Sequence, residues 1–179
     1  MEAALTSTAP AAGAMSPEEL CERYAASVCR FSAMAAGSAS DADDLAQEAL
    51  LRAVRSLRSY DATRGSMEAW LWRIVVNAAK DSASRRQRLR DLVERLGATD
   101  LRESESVEDA VLLRLREAEL HAQLRSLPTR DRTLLALRYG AGLDSGQVGE
   151  AVGLSADSAS KAIRRALARL RARLEETPR

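Results

Sequence analysis

From Ser16 to Leu174 the apolar positions recur three and four residues apart, the spacing of helices that bury one face, and the chain is read as all-α. Ser16-Pro17-Glu18-Glu19 opens the first helix: a serine N-cap, proline at the first helical position and glutamate three residues past the cap form a capping box. This helix is expected to run to about Ala35, with Gly37 ending it. A second is expected from a cap at Ser40, with Asp41, Asp43 and Asp44 where the helix dipole favours acids, to about Leu57. After the turn-rich Tyr60 to Gly65, Ser66 caps a third helix to about Arg88. Further on, helix resumes near Val107, breaks at Pro128, continues from Thr129 to Tyr139 and turns at Gly140 and Gly142. Two helices then follow: Asp144 and Gln147 box the first, Gly153 makes the tight turn, and Ser155 caps the second.

This pattern divides the chain into a tail over 1–15, a helical module over 16–95, a linker over 96–106 and a second helical module over 107–179. Residues 1–15 are mostly Ala, Ser, Thr and Pro without helical period, and are expected to be disordered. The linker is acidic, with Asp100, Glu103 and Glu105 leading to Glu108 and Asp109. Gly146 and Gly149 fall inside the short helix before Gly153, where each costs roughly 1 kcal/mol against alanine, so that helix is expected to be soft.

The polar faces carry the functional information. On the second helix Leu45, Ala49, Leu50, Ala53, Val54 and Leu57 form a core stripe, while Asp44, Gln47, Glu48, Leu51 and Arg55 form a polar one. A leucine among acids suits a protein partner, since acids repel phosphate; the same acids also favour the helix N-terminus, and spacing alone does not separate the two roles. On the third helix Arg73, Asn77, Lys80, Ser84 and Arg88 share a stripe suited to a nucleic-acid backbone. Asn77 both donates and accepts and so could read a base edge, and Trp70 beside Tyr60 could stack on an unpaired base, whereas Trp72 reads as core. The last helix turns Ala159, Ile163, Ala166, Leu167, Leu170 and Leu174 inward. Its outer face offers Ser158, Ser160, Lys161 and Arg164 to base edges, with Arg165 and Arg169 for phosphates.

Composition narrows the classes. The 179 residues are 46% hydrophobic but only 3% aromatic, which favours helices over sheets. The net charge of +1 conceals segregation: Asp41–Glu48 and Asp91–Asp109 are acidic, whereas Arg73–Arg90 and Lys161–Arg173 are basic. Apolar runs are too short for a membrane span and the N-terminus lacks signal-peptide features, so a cytoplasmic protein is expected. Cys21 and Cys29 lie roughly 12 Å apart along one helix, too far to pair and without partners for a zinc site. His121 has no catalytic constellation and no phosphate loop is present, so no enzyme activity, metal or cofactor is expected.

Two segments resemble a known family. DADDLAQEALLRAVRSL followed by RGSMEAWLWRIVVNAAKDSASRRQR is similar to region two of extracytoplasmic-function sigma factors, the group IV members of the sigma-70 family. LRSLPTRDRTLLALRYGAGLDSGQVGEAVGLSADSASKAIRRALARLRARL is similar to their region four, and the two cover nearly everything from Ser16 to Leu174 in the expected order. The resemblance implies a two-domain, all-α factor that binds core RNA polymerase and directs promoter-specific initiation. It implies that Asp44, Leu45, Gln47 and Glu48 dock on the clamp helices of the beta prime subunit. It implies that Asn77, Lys80 and the loop from Asp61 to Ser66, with Trp70, Arg73 and Arg88 alongside, engage a melted −10 strand from which a base is flipped. Region four would read the −35 duplex in its major groove, an anti-sigma factor would hold the chain in check, and the linker would thread toward the RNA exit path. The recognition helix departs from the family in carrying Ser158, Ala159, Ser160 and Ala162 where a Thr-Val pair and more basic residues are usual, so the −35 sequence is not inherited. The alternative from residues alone is a dimeric helix-turn-helix regulator that acts without polymerase.

Overall fold

A computed structural model describes residues 15–96 and 111–176, and every regular element among them is helical. Helix α1 spans Pro17–Ala35, α2 Ala39–Ser56 and α3 Met67–Arg95; two short 3₁₀ turns, Leu57–Ser59 and Ala62–Arg64, lie between α2 and α3. Then come α4 (Val111–Ser126), α5 (Thr129–Leu135), a π-helical turn (Ala136–Gly140), α6 (Ser145–Val152) and α7 (Ala156–Glu176). The expected tail up to residue 14, the linker from residue 97, its acids and the helix start near Val107 lie outside the described residues. Met15, assigned to the tail, packs against the core instead.

The caps explain most boundaries. The Ser16 hydroxyl accepts from Glu19 N at 3.1 Å and Glu19 Oε2 accepts from Ser16 N at 2.7 Å, so both halves of the expected box form. Ser66 Oγ accepts from Ala69 N at 3.1 Å. Asp144 and Gln147 cap α6 reciprocally, each at 2.9 Å. Helix α2 begins earlier than expected: Ser38, not Ser40, is the cap, its Oγ accepting from Asp41 N at 3.1 Å. Helix α3 runs past Arg88 to Arg95, and its last turns carry the exposed Leu89, Leu92 and Leu96, which no core position had marked as helical.

Helices α1, α2 and α3 pack around Leu20, Phe31, Leu45, Leu71, Trp72 and Val75. The same apolar cluster continues without a break into Leu134, Leu137, Leu143, Val148 and Ile163, so the two modules share one core. A smaller cluster under α4, α5 and α7 is built from Leu124, Leu127, Leu135, Ala166 and Leu170. Among the described residues, hydrogen bonds from three side chains cross the seam. Arg30 Nε donates to Gly140 O at 3.0 Å, Arg132 Nε to Ala35 O at 2.9 Å, and Gln147 Nε2 to Glu68 Oε2 at 2.8 Å. A side chain at Gly140 would place its Cβ 2.9 Å from the Arg30 carbonyl oxygen, so the glycine allows the approach.

Gly149 is likewise required by packing, a reason for the glycine that helix propensity alone does not give. It is buried, its carbonyl accepts from Leu154 N at 2.8 Å, and a Cβ there would lie 2.5 Å from the Leu154 carbonyl oxygen. The turn folds directly over it, with Gly153 in the left-handed region at φ 76°. Gly149→Ala is therefore expected to destabilise the chain by about 1–3 kcal/mol despite alanine's better helix propensity, as read by urea denaturation.

Candidate nucleic-acid interface

The sequence-derived faces separate into three surfaces. On α2, Asp44 and Gln47 are exposed at the rim of a groove between α2 and α3 whose other wall carries Arg85 and Arg86. Leu45, placed with them by resemblance, is only 4% exposed: it is core and forms the groove floor, and Leu51, 41% exposed, is the leucine the surface offers. Glu48 is half-buried and tied to Arg52 at 2.6 Å, which also reaches Asp81 at 2.6 Å. Arg86 pairs with Asp41 at 2.8 Å. Sequence reasoning missed the pairs Arg52–Asp81 and Arg86–Asp41 because the partners lie on different helices, 29 and 45 positions apart.

The second surface is the loop before α3 and the outer stripe of that helix. Asp61 Oδ1 accepts from Thr63 Oγ1 at 2.7 Å and from Thr63 N at 2.9 Å; these bonds, side chain first, hold its carboxyl below the usual range. Tyr60 donates to Gly65 O at 3.1 Å and meets Trp70 edge-on, ring centroids 5.7 Å apart. That contact leaves Trp70 half-buried, while Trp72 lies in the core against Phe31. The Ser66 hydroxyl is committed to its cap. Arg73, Asn77, Lys80, Ser84 and Arg88 are all exposed on one face, as their spacing required. Arg73 and Arg88 fold back on their own helix, donating to Ala69 O at 3.4 Å and Ser84 O at 3.3 Å; among the described residues the Asn77 and Lys80 side chains have no hydrogen-bond or ion-pair partner.

The third surface is the exposed face of α7, held by α6 through the Gly153 turn. Ser158, Lys161, Arg164 and Arg165 are exposed and Ser160 half-exposed. Ser158 is engaged at the cap, its hydroxyl 2.9 Å from that of Ser155, and Lys161 pairs with Asp157 at 2.7 Å. Arg165 donates to Lys161 O at 3.3 Å. Arg169, expected at a phosphate, forms an ion pair with Asp131, whose side chain is 10% exposed, and so braces α7 against α5.

Comparison with known proteins gives these surfaces a family. The Sigma-70 region 2 model matches residues 20–89 and the Sigma-70, region 4 model matches residues 123–172. The ECF RNA polymerase sigma factor SigE of Mycolicibacterium smegmatis is 31% identical over 86% of this chain and 60% of its own length. The RNA polymerase sigma factor CnrH of Cupriavidus metallidurans is 30% identical over 76% of this chain and 74% of its own. CnrH solved in complex with the cytosolic domain of CnrY has the same fold, with a TM-score of 0.65 at 23% identity over 90% of this chain and 89% of that one. So has RpoE of Bartonella quintana, solved with the anti-sigma factor NepR: TM-score 0.67 at 21% identity over 90% of this chain and 97% of that one.

Two helical modules with these motifs, in this order, are regions 2 and 4 of one family of proteins. The chain belongs to the sigma-70 family, in its extracytoplasmic-function group. It spans about three fifths of the length of the first relatives it matches, 60% of one and 58% of the other. No helix among the described residues is long and apolar enough to cross a membrane.

Arg169→Ala leaves the Asp131 carboxylate buried and unpaired; because the arginine is itself largely exposed, the expected loss is about 1 kcal/mol in urea denaturation. Arg165→Ala, whose guanidinium faces solvent, should change stability by less than about 0.5 kcal/mol.

Proposed function

We propose that this chain is an alternative sigma factor that binds core RNA polymerase in the cytoplasm and directs it to a subset of promoters. Its domains are residues 16–95 (region two) and 107–179 (region four), joined by a linker. The observation that carries this reading is the pair of separate exposed nucleic-acid faces on one chain, the Asn77–Lys80 stripe of α3 and the outer face of α7, with an acidic surface on α2 facing neither. Catalysis of RNA synthesis belongs to the polymerase.

The labour divides by chemistry. The α2 rim, with Asp44, Gln47 and Glu48 around the exposed Leu51, meets the beta prime clamp helices; its charge keeps it from phosphate and its leucine gives the contact an apolar centre. The outer face of α7 enters the major groove of the −35 duplex, where Ser158, Ser160, Lys161 and Arg164 meet base edges and Arg165 a phosphate. The Asn77 amide reads an extruded base of the melted −10 strand, with Lys80, Arg73 and Arg88 on its backbone and the Asp61–Ser66 loop and Trp70 forming the wall beside it. Extrusion costs a few kcal/mol, which contacts made only to the opened strand must offset. The SigE and CnrH relatives are named as sigma factors, and RpoE is solved with an anti-sigma factor; a protein antagonist that covers these surfaces completes the reading.

A mobility-shift assay with promoter duplex tests the class: weak binding by the chain alone and strong binding with core enzyme is expected, and tight core-independent binding to a palindrome would indicate a dimeric regulator instead. Asn77→Ala should reduce promoter opening, read by permanganate footprinting, about tenfold while leaving core affinity unchanged. Reversing both Asp44 and Glu48 to Lys should weaken core binding by about tenfold or more in a pull-down titration and steepen neither DNA contact.

A further inference from the structure

Where region two meets region four, a cleft of about 350 Å³ lies between α3 on one side and α4, α5 and α7 on the other. Its volume falls in the range of small-ligand sites, roughly 300–1,000 Å³. Five arginines from four helices line it: Arg86 and Arg90 of α3, Arg125 of α4, Arg132 of α5 and Arg173 of α7. Among the described residues no carboxylate lines it.

Arg132 sits deepest, 7% exposed. Its Nε donates to Ala35 O and its Nη1 to Arg125 O, both at 2.9 Å, so carbonyl dipoles satisfy it where an anion would ordinarily balance a buried charge. Burial first, and then the fields of Arg86, Arg90 and Arg125, disfavour its charged form. Closure of the two domains thus collects like charges instead of dispersing them. Arg86 has Asp41 as a partner on its far side, and Arg173 donates to Ser126 Oγ at 2.8 Å.

We propose that this cleft binds a compact polyphosphate anion, which bridges α3 of region two to the arginines of region four and favours their closed packing. Guanidinium forks match phosphate oxygens two at a time, and a chain of phosphoryl groups offers several negative charges in a space of this size. The arginines surround a recess and do not track along a ridge, which suits a small polyanion better than a duplex backbone or an extended acidic peptide. The site is separate from the Asn77 stripe and from the outer face of α7.

The test is isothermal titration of the full-length chain with sodium tripolyphosphate at fixed ionic strength, beside thermal melting. One anion per chain, with a Kd on the order of 10 µM, and a melting temperature that climbs with tripolyphosphate are expected. Arg90→Ser with Arg125→Ser should weaken binding at least about tenfold without lowering the melting temperature of the free chain, since it removes like-charge repulsion. Arg164→Ser on α7 should leave binding unchanged. Gly140→Val keeps every arginine but forces the domains apart at Arg30, and a chain of unaltered helical content should lose the site. Equal losses with Arg164→Ser would show diffuse attraction and overturn the proposal, as would retained binding in the Arg90/Arg125 variant or in Gly140→Val. Absence of binding to the natural chain would overturn it too. Binding that emerges only when Asp100, Glu103, Glu105, Glu108 and Asp109 are neutralised would assign the cleft to the chain's own acidic segment.

Discussion

A reciprocal exchange of hydrogen bonds between distant parts of the chain sets its shape. Helix α1 ends at Ala35, whose carbonyl has no partner within the helix; Arg132 of region four supplies the donor. In return Arg30 of α1 donates to the Gly140 carbonyl at the end of the π-helical turn. Each module thereby completes a helix terminus of the other, and the glycine allows the two backbones to approach closely enough for it. The apolar cluster that runs across the seam supplies the driving force, and these directional bonds fix the orientation. Gln147 adds a third bond at no extra ordering, because its side chain is already held in the α6 capping box when it reaches Glu68.

Charge is distributed in a manner that this packing alone does not require. Acids gather on the rim of α2, while bases occupy the outer stripes of α3 and α7. Among the described residues, ion pairs lie at the edges of these surfaces: Arg52 with Glu48 and Asp81, Arg86 with Asp41, Lys161 with Asp157, Arg169 with Asp131. Exposed pairs of this type contribute little to stability, typically under about 1 kcal/mol. They do position side chains, so that Glu48 and Lys161 present fixed geometry where Asn77 and Lys80 stay free to adapt.

The legible parts of this fold were those written locally. Capping boxes at Ser16 and Asp144, the cap at Ser66 and the inward stripe of α7 each depend on residues within one or two turns, and each formed as spaced. The misreadings came from longer range. Ser38 and Ser40 are equally good caps by composition, and Ser38 is the one whose hydroxyl accepts from Asp41 N. Leu45 belongs to the core and Leu51 is exposed, as the helical spacing of α2 required; only the resemblance had placed Leu45 with the docking acids. Gly149 looked like a weak helix former because the carbonyl that fills the place of its side chain arrives from the following turn. The pairing of Arg169 with Asp131 was not legible, because the partner lies 38 positions away. The shared core between the modules had no sequence signature, since any apolar face fits an intramodule partner as well as an intermodule one.

Arg86 joins the two recesses that flank α3. It forms part of the groove beside Asp44 and Glu48 and also of the arginine cleft at the seam, with Asp41 as its carboxylate partner between them. Gly37 leaves its guanidinium room: a Cβ there would stand 3.1 Å from Nη1. One cation therefore borders an acidic surface and a cationic recess at once, and it can balance only one additional anion well. The guanidinium is held by Asp41 at the first turn of α2, the helix that carries the acidic rim.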